Sequence, residues 1–388
     1  MYVDIQPNAI DLYALDEDWT DEQKIICEQL RRFVDREILP AIGEWSETAT
    51  VPREIIGKLA EFGILEMVAS GDMDPITYGL VMREIERAGS CLRSLLSVQG
   101  SLVMYPIMTF GSDEQRERWL EPLSTFEKIG CFGLTEPDFG SNPGGLRTRA
   151  ERTNDGFRLN GTKTWITNGT LADVAIIWAK LDEKINGFLV ETDRKGFEAR
   201  AIEGKWSFRA SDTAELFLDN VEIPEANLMP GANSLGKAIS TLNQARYSIV
   251  WGVIGAARAC LEETCQYLLD RPQFAGKPLA SHQLIQGKLA WMAAELTCME
   301  TLAKRLGELK SQGRMKPVQV SIAKMNNVRK ALEIARTCRE LLGANGIHYE
   351  YHVGRRMLDL ETVLTYEGTE HIHALIVGQN MTGIAAYA

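Results

Sequence analysis

The 388-residue sequence predicts an α+β fold, in which an N-terminal helical domain, a middle β domain and a C-terminal four-helix bundle follow one another. Two observations carry this prediction. The helical period of apolar residues gives way to short alternating segments near residue 130 and returns near residue 240. The last third of the chain then holds long periodic segments, which bury their apolar stripes against one another. We therefore place the domains at 1–129, 130–238 and 239–388.

The N-terminal domain is predicted from helix-start signals that precede apolar stripes. Residues 20–23 form a capping box, and Asp74-Pro75 supplies an N-cap residue followed by a proline in the first turn. Residues 112–115 begin a further helix in the same way as residues 20–23. The five predicted helices cover about 20–39, 52–62, 74–88, 93–109 and 112 onward.

The middle domain is predicted from a change of period to strand-like alternation. The run 156–165 alternates around Asn160-Gly161, a pair that predicts a β-hairpin turn. Further strands are expected at 175–178, 187–190, 214–218 and 221–224. The helical period that follows predicts long helices at about 241–271, 280–312, 316–343 and 368–385.

Composition argues against several classes of protein. Hydrophobic residues make up 45% and charged residues 24% of the chain, as in ordinary globular domains. The net charge of −11 argues against a nucleic-acid partner, and no apolar run is long enough to span a membrane. Seven scattered cysteines without a CxxC pair predict reduced thiols. Because residues 1–5 also lack the features of a signal peptide, we expect a cytoplasmic protein without a membrane association.

A single carboxylate near the C-terminus, Glu367, lies among apolar and hydroxyl-bearing residues. Apolar neighbours would desolvate the carboxylate, raise its pKa and make it a stronger base, and Gly368 would let the backbone approach a ligand closely. A solvated glutamate at the end of a helix or strand is the simpler interpretation of this segment alone. The pairs His348/His352 and His371/His373 lack further ligands at metal-binding spacing, so we expect structural histidines and no metal.

Two segments near the middle domain offer groups for binding a ligand. The loop 134–142 is rich in hydroxyls and turn residues, and 165–168 places a tryptophan and a threonine at the end of a strand. Tryptophan can stack on a planar ring and threonine can bond its edge, although each segment alone is more often a plain turn or a core tryptophan. The usual glycine-rich nucleotide signatures are absent from the sequence.

These segments, in this order, resemble the acyl-CoA dehydrogenase family over nearly the full length of the chain. The motifs that carry the resemblance are Leu134–Pro137 with Gly140-Ser141, Trp165–Asn168, Asn243 with Arg246-Tyr247, Arg271 with Phe274, 342–346 and Tyr366–Thr369. The resemblance implies FAD as cofactor, an acyl-CoA substrate, an electron-transfer flavoprotein as acceptor and a homotetramer. Segments 93–99, 131–137, 242–247 and 365–376 most resemble the glutaryl-CoA dehydrogenase branch of the family.

The resemblance also assigns roles by position. Glu367 would remove the α-proton of the acyl thioester, and hydride would pass from the β-carbon to the flavin. Arg93 would bind the distal carboxylate of a dicarboxylic acyl chain, which a guanidinium fork suits; the alternative is a surface arginine paired with Glu86. The expected substrate-binding residues are Arg93, Ser94, Ser141, Asn243, Arg246, Tyr366 and Gly368. The expected FAD-binding residues are Phe132, Leu134, Thr135, Gly140, Ser141, Trp165, Ile166, Thr167, Arg271, Phe274, Gln283, Glu340, Gly343, Ala344, Thr369 and His371.

Two other functions stay open on the sequence alone. The first is a short-chain acyl-CoA dehydrogenase or oxidase that does not release CO2. The second is a helical scaffold or acyl-CoA-binding protein without catalysis, against which the presence of Glu367 argues. The short loop after Leu65 replaces a longer segment of the family that borders the acyl pocket, so the acyl chain itself is not fixed.

Overall fold

The computed structural model describes residues 10–386; residues 1–5, where no signal peptide is predicted, lie outside the described part. Its helices are α1 (Asp21–Phe33), α2 (Ile42–Thr48), α3 (Arg53–Ala60), α4 (Ile64–Ser70), α5 (Pro75–Glu86), α6 (Ser90–Ser97), α7 (Tyr105–Phe110), α8 (Asp113–Ser124), α9 (Leu235–Asp270), α10 (Gln283–Ser311), α11 (Pro317–Leu341), α12 (His352–Thr365) and α13 (Glu370–Thr382). Its strands are β1 (Gly130–Gly133), β2 (Arg149–Arg152), β3 (Gly156–Thr167), β4 (Val174–Leu181), β5 (Lys184–Glu191), β6 (Phe197–Ala201), β7 (Thr213–Pro224), β8 (Pro272–Gln273) and β9 (Lys277–Pro278). The predicted α+β organisation is confirmed, with helical ends and a central β region.

The chain divides into two compact units. We call the first the helical unit; it comprises Met1–Glu44, Asp74–Arg93 and Arg246–Ala388. The second, the β unit, comprises Trp45–Met73 and Ser94–Ala245. The domain boundaries placed near residues 130 and 239 stay predictions.

The helical unit is built on helices whose starts are stabilised as the sequence predicts. The Thr20 side chain accepts a hydrogen bond from the Gln23 backbone, and the Gln23 side chain accepts one from the Thr20 backbone, which confirms the capping box of α1. Asp74 caps α5 by accepting from the backbone N–H groups of Ile76 and Thr77 at 2.9 and 3.1 Å. The long helices pack around α11, which contacts α10, α12 and α13. Helix α12 was not predicted from the sequence, and it ends directly before Tyr366.

The β unit holds a seven-stranded sheet among the residues that the structure describes. The strand order is β1-β4-β2-β3-β7-β6, and β5 pairs with β4. Alternate residues of these strands point into one apolar core, in which the rings of Phe157 and Phe188 meet edge to face with their centroids 5.4 Å apart. No helix within residues 10–386 combines the length and the apolar character that crossing a membrane requires.

The hairpin predicted at Asn160-Gly161 is wrong. Strand β3 continues through both residues, and its pairing with β7 shifts register between Leu159 and Gly161. The pair therefore lies inside one long strand, opposite a bulge whose extra residue is on β7. A side chain on Gly161 would overlap Thr148, so only glycine fits there. The two strands predicted at 214–218 and 221–224 are likewise one continuous strand, β7.

Candidate functional site

The segment that carries Glu367 is a tight turn between α12 and α13. Glu367 has a φ of 53° and Gly368 a φ of 92°. A left-handed backbone is uncommon for a glutamate and costs on the order of 1–3 kcal/mol, so the surroundings must hold it in place. On the far side, the Thr369 side chain accepts a hydrogen bond from the Ile372 N–H at 3.2 Å and caps α13.

Two buried cations hold three successive carbonyl groups of this turn. The Lys324 ammonium donates to the carbonyl oxygens of Tyr366 and Gly368 at 2.6 and 2.8 Å. The Arg246 guanidinium donates through Nε to the carbonyl oxygen of Glu367 at 2.7 Å. Every backbone carbonyl from residue 366 to residue 368 therefore accepts a charge-assisted hydrogen bond, and the position of the glutamate is fixed through its backbone.

The carboxylate of Glu367 has the properties of a base. Its Oε2 atom is buried and has no hydrogen-bond partner among the described residues. Burial raises the pKa of Glu367 above its ordinary 4.5, and the charges of Lys324, Arg93 and Arg246 offset part of this rise. A carboxylate that is desolvated and keeps one oxygen unbonded is available to take a proton from a bound ligand.

Arg93 belongs to a buried chain of polar groups that ends at Tyr366. Its Nε atom donates to Glu86 Oε2 at 2.6 Å, and Arg93 and Glu86 are both fully buried. Its Nη2 atom donates to the Tyr366 hydroxyl, and the Ser90 hydroxyl donates to Glu86 Oε1 at 2.6 Å. The pairing with Glu86 that the sequence left as an alternative is thus present, but in the interior and not on the surface.

The Nη1 atom of Arg93 is buried and has no hydrogen-bond partner among the described residues. A guanidinium usually satisfies its buried N–H groups, so this edge is left to bind an acceptor that is not part of the chain. The pair lies against α9 at Gly252, where a side chain would overlap the Glu86 carboxylate.

His373 completes the surroundings of the turn. Its Nδ1 atom lies 3.1 Å from the Ser321 hydroxyl. Burial, with further contributions from Lys324 and Arg246, lowers the pKa of His373 to about 3, so the ring is neutral at pH 7. Within residues 10–386, no group of three or more His, Cys, Asp or Glu residues is placed to hold a metal ion.

Sequence reasoning missed Lys324, although a signal for it exists, and expected His373 as a structural histidine. Helix α11 buries Val320, Ala323, Lys324, Asn327, Val328 and Ala331. A lysine four residues after one buried valine and four before another lies on the apolar stripe of the helix, where lysine is rarely found without a partner. The charge on that stripe could have indicated a functional or structural partner.

Most other candidate residues of the helical unit are exposed. Arg271 follows α9 and lines a cleft of about 630 Å³ together with Asn345. Phe274 is 78% exposed, and Glu340 pairs with Lys288 at 2.6 Å. The remaining exposed candidates are Gln283, Gly343, Ala344 and His371. The structure thus separates them from Arg246 and Arg93, which are buried, and from the partly buried turn formed by Tyr366, Glu367 and Gly368.

In the β unit, the structure brings Thr135 and Trp165 together. The N–H of Thr164 donates to the carbonyl of Thr135 at 3.0 Å. Trp165 has a φ of 59° at a register shift of β3, and its side chain is 62% exposed. Thr135 and Thr167 are partly exposed, so an indole ring and two partly exposed threonines lie near the end of β3.

The other candidates of the β unit differ widely in exposure. Ile166, Phe132, Leu134 and Ser94 have buried side chains, and Asn243 is 9% exposed. Gly140 and Ser141 lie on an exposed loop. Any contact of Phe132, Leu134 or Ile166 with a ligand would therefore use the backbone.

A buried ion pair that sequence reasoning missed anchors the loop that contains Thr135. The Lys163 ammonium donates to Glu136 Oε1 at 2.8 Å and to the Leu134 carbonyl at 3.1 Å. Glu136 also accepts from the backbone N–H groups of Arg147 and Thr148 at 2.6 and 2.9 Å. Both segments that carry Thr135 and Trp165 are held by this pair.

Three family models match successive parts of the chain. The family models for the acyl-CoA dehydrogenase N-terminal, middle and C-terminal domains match residues 20–127, 131–221 and 235–382. An acyl-CoA dehydrogenase of Bacillus subtilis (strain 168) is 33% identical over 375 residues, covering 94% of this chain and 99% of its own.

Two solved structures cover almost the whole chain. A glutaryl-CoA dehydrogenase of Mycobacterium smegmatis is 48% identical with a TM-score of 0.96, covering 99% of this chain and 100% of its own. A glutaryl-CoA dehydrogenase of Mycobacterium smegmatis in complex with FADH2 is 46% identical, with the same TM-score of 0.96 and coverage of 99% and 100%.

The order of the three matched domains confirms the resemblance inferred from the motifs. Enzymes of this family depend on FAD, so the expected cofactor is confirmed at the level of the family. With all three domain models matched along its length, the chain belongs to the acyl-CoA dehydrogenase family.

Proposed function

We propose that this chain is an FAD-dependent dehydrogenase of glutaryl-CoA or a closely related dicarboxylic acyl-CoA, and that it releases CO2 from the oxidised product. The observation that carries the proposal is the unpartnered Nη1 atom of Arg93, buried in the chain of groups that leads to Tyr366 beside Glu367. The 48% identity to a glutaryl-CoA dehydrogenase supports the same substrate.

The exposed edge of the β unit fits a flavin. Trp165 presents its indole ring to solvent, and Thr135 and Thr167 supply hydroxyls beside it. An aromatic side chain that is left exposed on a strand suits stacking on a planar ring, and the hydroxyls suit its polar edge. FAD, when bound, would accept the hydride that leaves the β-carbon of the acyl chain. The exposed residues Arg271, Gln283 and Gly343 and the partly exposed Thr369 are proposed to hold its ADP half, partly across a subunit boundary.

Glu367 is the proposed base. Its raised pKa and its unbonded Oε2 atom suit removal of the weakly acidic α-proton of a thioester. The backbone N–H of Glu367 would donate to the thioester carbonyl as negative charge develops on that oxygen, in the manner of an oxyanion hole. Arg246 and Lys324 hold the turn so that the base keeps its position while the ligand binds. Ser141 and Gly368 are proposed to contact the acyl-CoA.

Arg93 would select the dicarboxylic acyl chain. Its free N–H edge can donate to one carboxylate oxygen in a site where burial strengthens the interaction. After the α,β-bond is oxidised, the distal carboxylate is attached to the γ-carbon, next to the new double bond. The C–C bond to the carboxylate then breaks and CO2 leaves. The electron pair of that bond enters a dienolate, which the protonated Glu367 reprotonates.

The electrons of the reduced flavin are proposed to leave through an electron-transfer flavoprotein. The protein is proposed to be a homotetramer located in the cytoplasm.

A second function is favoured by one observation. The charge of Arg93 is already balanced by Glu86, with the two atoms 2.6 Å apart, so the pocket does not require an anionic ligand. An enzyme that oxidises a short monocarboxylic acyl-CoA without releasing CO2 agrees with that balance. Rapid reoxidation of the reduced protein in air would indicate the oxidase form.

The test is anaerobic reduction of the FAD-loaded protein, followed at the visible flavin absorbance, with glutaryl-CoA and butyryl-CoA in parallel and with CO2 trapped. We expect glutaryl-CoA to bleach the flavin and to release one CO2 per flavin reduced. Bleaching by butyryl-CoA alone would replace the proposal with the second function. If neither substrate bleached the flavin, the glutaryl-CoA proposal would be wrong, and the short loop after Leu65 would be the first segment to examine with longer acyl chains.

A further inference from the structure

Lys324 is a lysine buried inside the helical unit without a carboxylate as its direct partner. Its residue is 2% exposed, and it lies on the apolar stripe of α11. A buried lysine normally forms an ion pair, because desolvation of an ammonium group is costly. No ion pair of Lys324 with an acidic side chain occurs within 4.0 Å in the part of the chain from residue 10 to residue 386. The fold retains this residue at a cost that its hydrogen bonds and the nearby charge of Glu367 must offset.

Those hydrogen bonds are placed symmetrically about one residue. The Lys324 ammonium donates to the carbonyls of Tyr366 and Gly368, the two residues on either side of Glu367. The same ammonium lies 5.8 Å from the centroid of the Tyr366 ring. A single group thus connects helix α11 to both ends of a three-residue turn, and the turn cannot change its φ angles without breaking one of the two bonds.

The turn needs such a connection. Glu367 has a left-handed backbone, with a φ of 53°, and a residue of this kind relaxes to a commoner conformation unless its surroundings prevent it. Arg246 holds the middle carbonyl at 2.7 Å. Lys324 holds the two carbonyls that flank it.

We propose that Lys324 is a positioning residue for the base: it fixes the 366–368 turn through the two flanking carbonyls and so holds the Glu367 carboxylate in its reactive place. This inference rests on the proposed function for its kinetic consequence, but the order of the turn can be measured without any substrate. Lys324 does not exchange a proton with the substrate in this role.

The charge of Lys324 has a second, smaller effect on the same carboxylate. Burial lowers the pKa of Lys324 to about 7, while Glu367 opposes this shift. Several titratable or charged groups surround the turn. They are Glu86 on α5, Arg93 on α6, Arg246 on α9, Lys324 on α11, His373 on α13 and Tyr366 in the turn itself. Replacing Lys324 with a neutral side chain removes one of the three cations that lower the pKa of Glu367, so this pKa would rise further.

The experiment compares FAD-loaded Lys324→Met with Lys310→Met. Lys310 is the matched control, since burial also lowers its pKa to about 8 and its ammonium lies over the Tyr247 ring at 4.1 Å from the centroid. We expect amide exchange in peptides covering 364–370 to become about tenfold faster or more in Lys324→Met, the effect of losing a hydrogen bond to a charged donor. The control should retain the wild-type exchange of this segment.

The kinetic part uses the acyl-CoA that reduces the wild-type flavin. We expect kcat of Lys324→Met to fall about 100-fold, because a base displaced by about 1 Å loses its alignment, with KM changed by less than about threefold. The ascending limb of the pH profile should move to higher pH. Lys310→Met should keep both kcat and the pH profile.

Wild-type exchange together with wild-type kcat in Lys324→Met would overturn the proposal, and so would equal kinetic losses in Lys324→Met and Lys310→Met. If Lys324→Met does not fold, Lys324→Gln replaces it: its shorter side chain reaches one carbonyl at most, so exchange and kcat should fall between wild type and complete loss. Wild-type values in Lys324→Gln would also overturn the proposal. If no acyl-CoA reduces the wild-type flavin, the proposed function fails, and the exchange comparison alone decides the role of Lys324.

Discussion

The two units each bury a lysine next to a glutamate, but they use the pair in opposite ways. In the β unit, Lys163 donates directly to the Glu136 carboxylate at 2.8 Å. In the helical unit, Lys324 donates to the backbone carbonyls on either side of Glu367 and not to its carboxylate. One lysine satisfies a carboxylate, while the other holds the segment that carries one.

The pKa values of the two carboxyl groups follow this difference. Burial alone would raise the pKa of Glu136, but Lys163 and the backbone N–H groups of the loop hold it below its ordinary 4.5. Burial raises the pKa of Glu367, and the cations around it offset only part of the rise. The attraction of a directly paired lysine, together with hydrogen bonds, therefore outweighs burial at Glu136, whereas burial outweighs the surrounding cations at Glu367.

The comparison separates an anchor from a base. Glu136 accepts hydrogen bonds at both oxygens. Glu367 keeps Oε2 buried and unbonded among the described residues. A buried polar atom without a partner is costly in a native protein, and in the proposed function the substrate supplies the partner of Oε2.

The largest effect is expected from Glu367→Gln. An amide cannot take the α-proton, so reduction of the flavin by acyl-CoA should slow by about 10²–10⁴-fold. The variant should still contain FAD, because the side chain is not expected to hold the cofactor. Stopped-flow bleaching of the variant measures the rate, and the visible spectrum measures the FAD content. Turnover at the wild-type rate would contradict the assignment of the base.

Arg93→Met should change which substrate is used. Loss of a desolvated charge that faces the distal carboxylate should cost about 3–5 kcal/mol of binding for glutaryl-CoA and much less for butyryl-CoA. The ratio of kcat/KM for the two substrates measures this. Glu86→Gln is the matched control, since it removes the partner charge but keeps the guanidinium, and it should retain the preference for glutaryl-CoA. Equal losses on both substrates in Arg93→Met would remove Arg93 from the pocket.

Lys163→Met tests the anchor. It leaves a buried carboxylate without its counter-ion, and breaking such a pair costs about 3–5 kcal/mol. We expect the lower end of this range, because the two backbone N–H bonds of Glu136 remain. The midpoint of thermal or denaturant unfolding should fall accordingly. A variant as stable as the wild type would show that the pair does not stabilise the β unit.

The two carboxyl groups also predict different responses to acid. Because the pKa of Glu367 is raised above 4.5, the base is protonated, and activity is lost, at a pH above that value. Because the pKa of Glu136 is depressed, the stability it contributes is present above 4.5 and is lost only as the pH falls through the lower, folded-state pKa. Activity should therefore decline at a higher pH than the fold, as flavin bleaching and circular dichroism measured over the same pH series would show. Loss of activity and of the fold at the same pH would contradict this difference between the two carboxyl groups.

Local signals in the sequence predicted much of the fold. The capping boxes at Thr20 and Ser112 begin α1 and α8 as expected, because these signals act within one helical turn. The Asn160-Gly161 pair was misinterpreted, since the strand that contains it continues by pairing with β7, a segment distant in sequence. Local chemistry alone cannot distinguish a turn from a bulge when the deciding contact is tertiary.

The candidate site shows the same limit. The motifs gave Glu367, Arg93 and Tyr366, which the structure brings together in the helical unit. They did not give Lys324 or Lys163, because the partners of both are distant in sequence and Lys324 binds backbone atoms that no side-chain pattern reveals. A charged residue on a buried stripe marks such a site, but its partner becomes visible only in the fold.

Tyr366→Phe should have the smallest effect and tests how far the buried chain from Glu86 shapes the reaction. The Tyr366 hydroxyl accepts from Arg93, and burial raises the pKa of this phenol, so it stays protonated at neutral pH. Removing the hydroxyl leaves a second guanidinium nitrogen without its partner, and losing a hydrogen bond to a charged group costs about 1.5–3 kcal/mol. Since the base is untouched, flavin reduction should slow only modestly, while the fraction of oxidised product that loses CO2 should fall. Trapped CO2 per flavin reduced measures that fraction. An unchanged ratio would confine Tyr366 to holding Arg93. Glu367, the carboxylate that contrasts with Glu136, would then act with Arg93 alone.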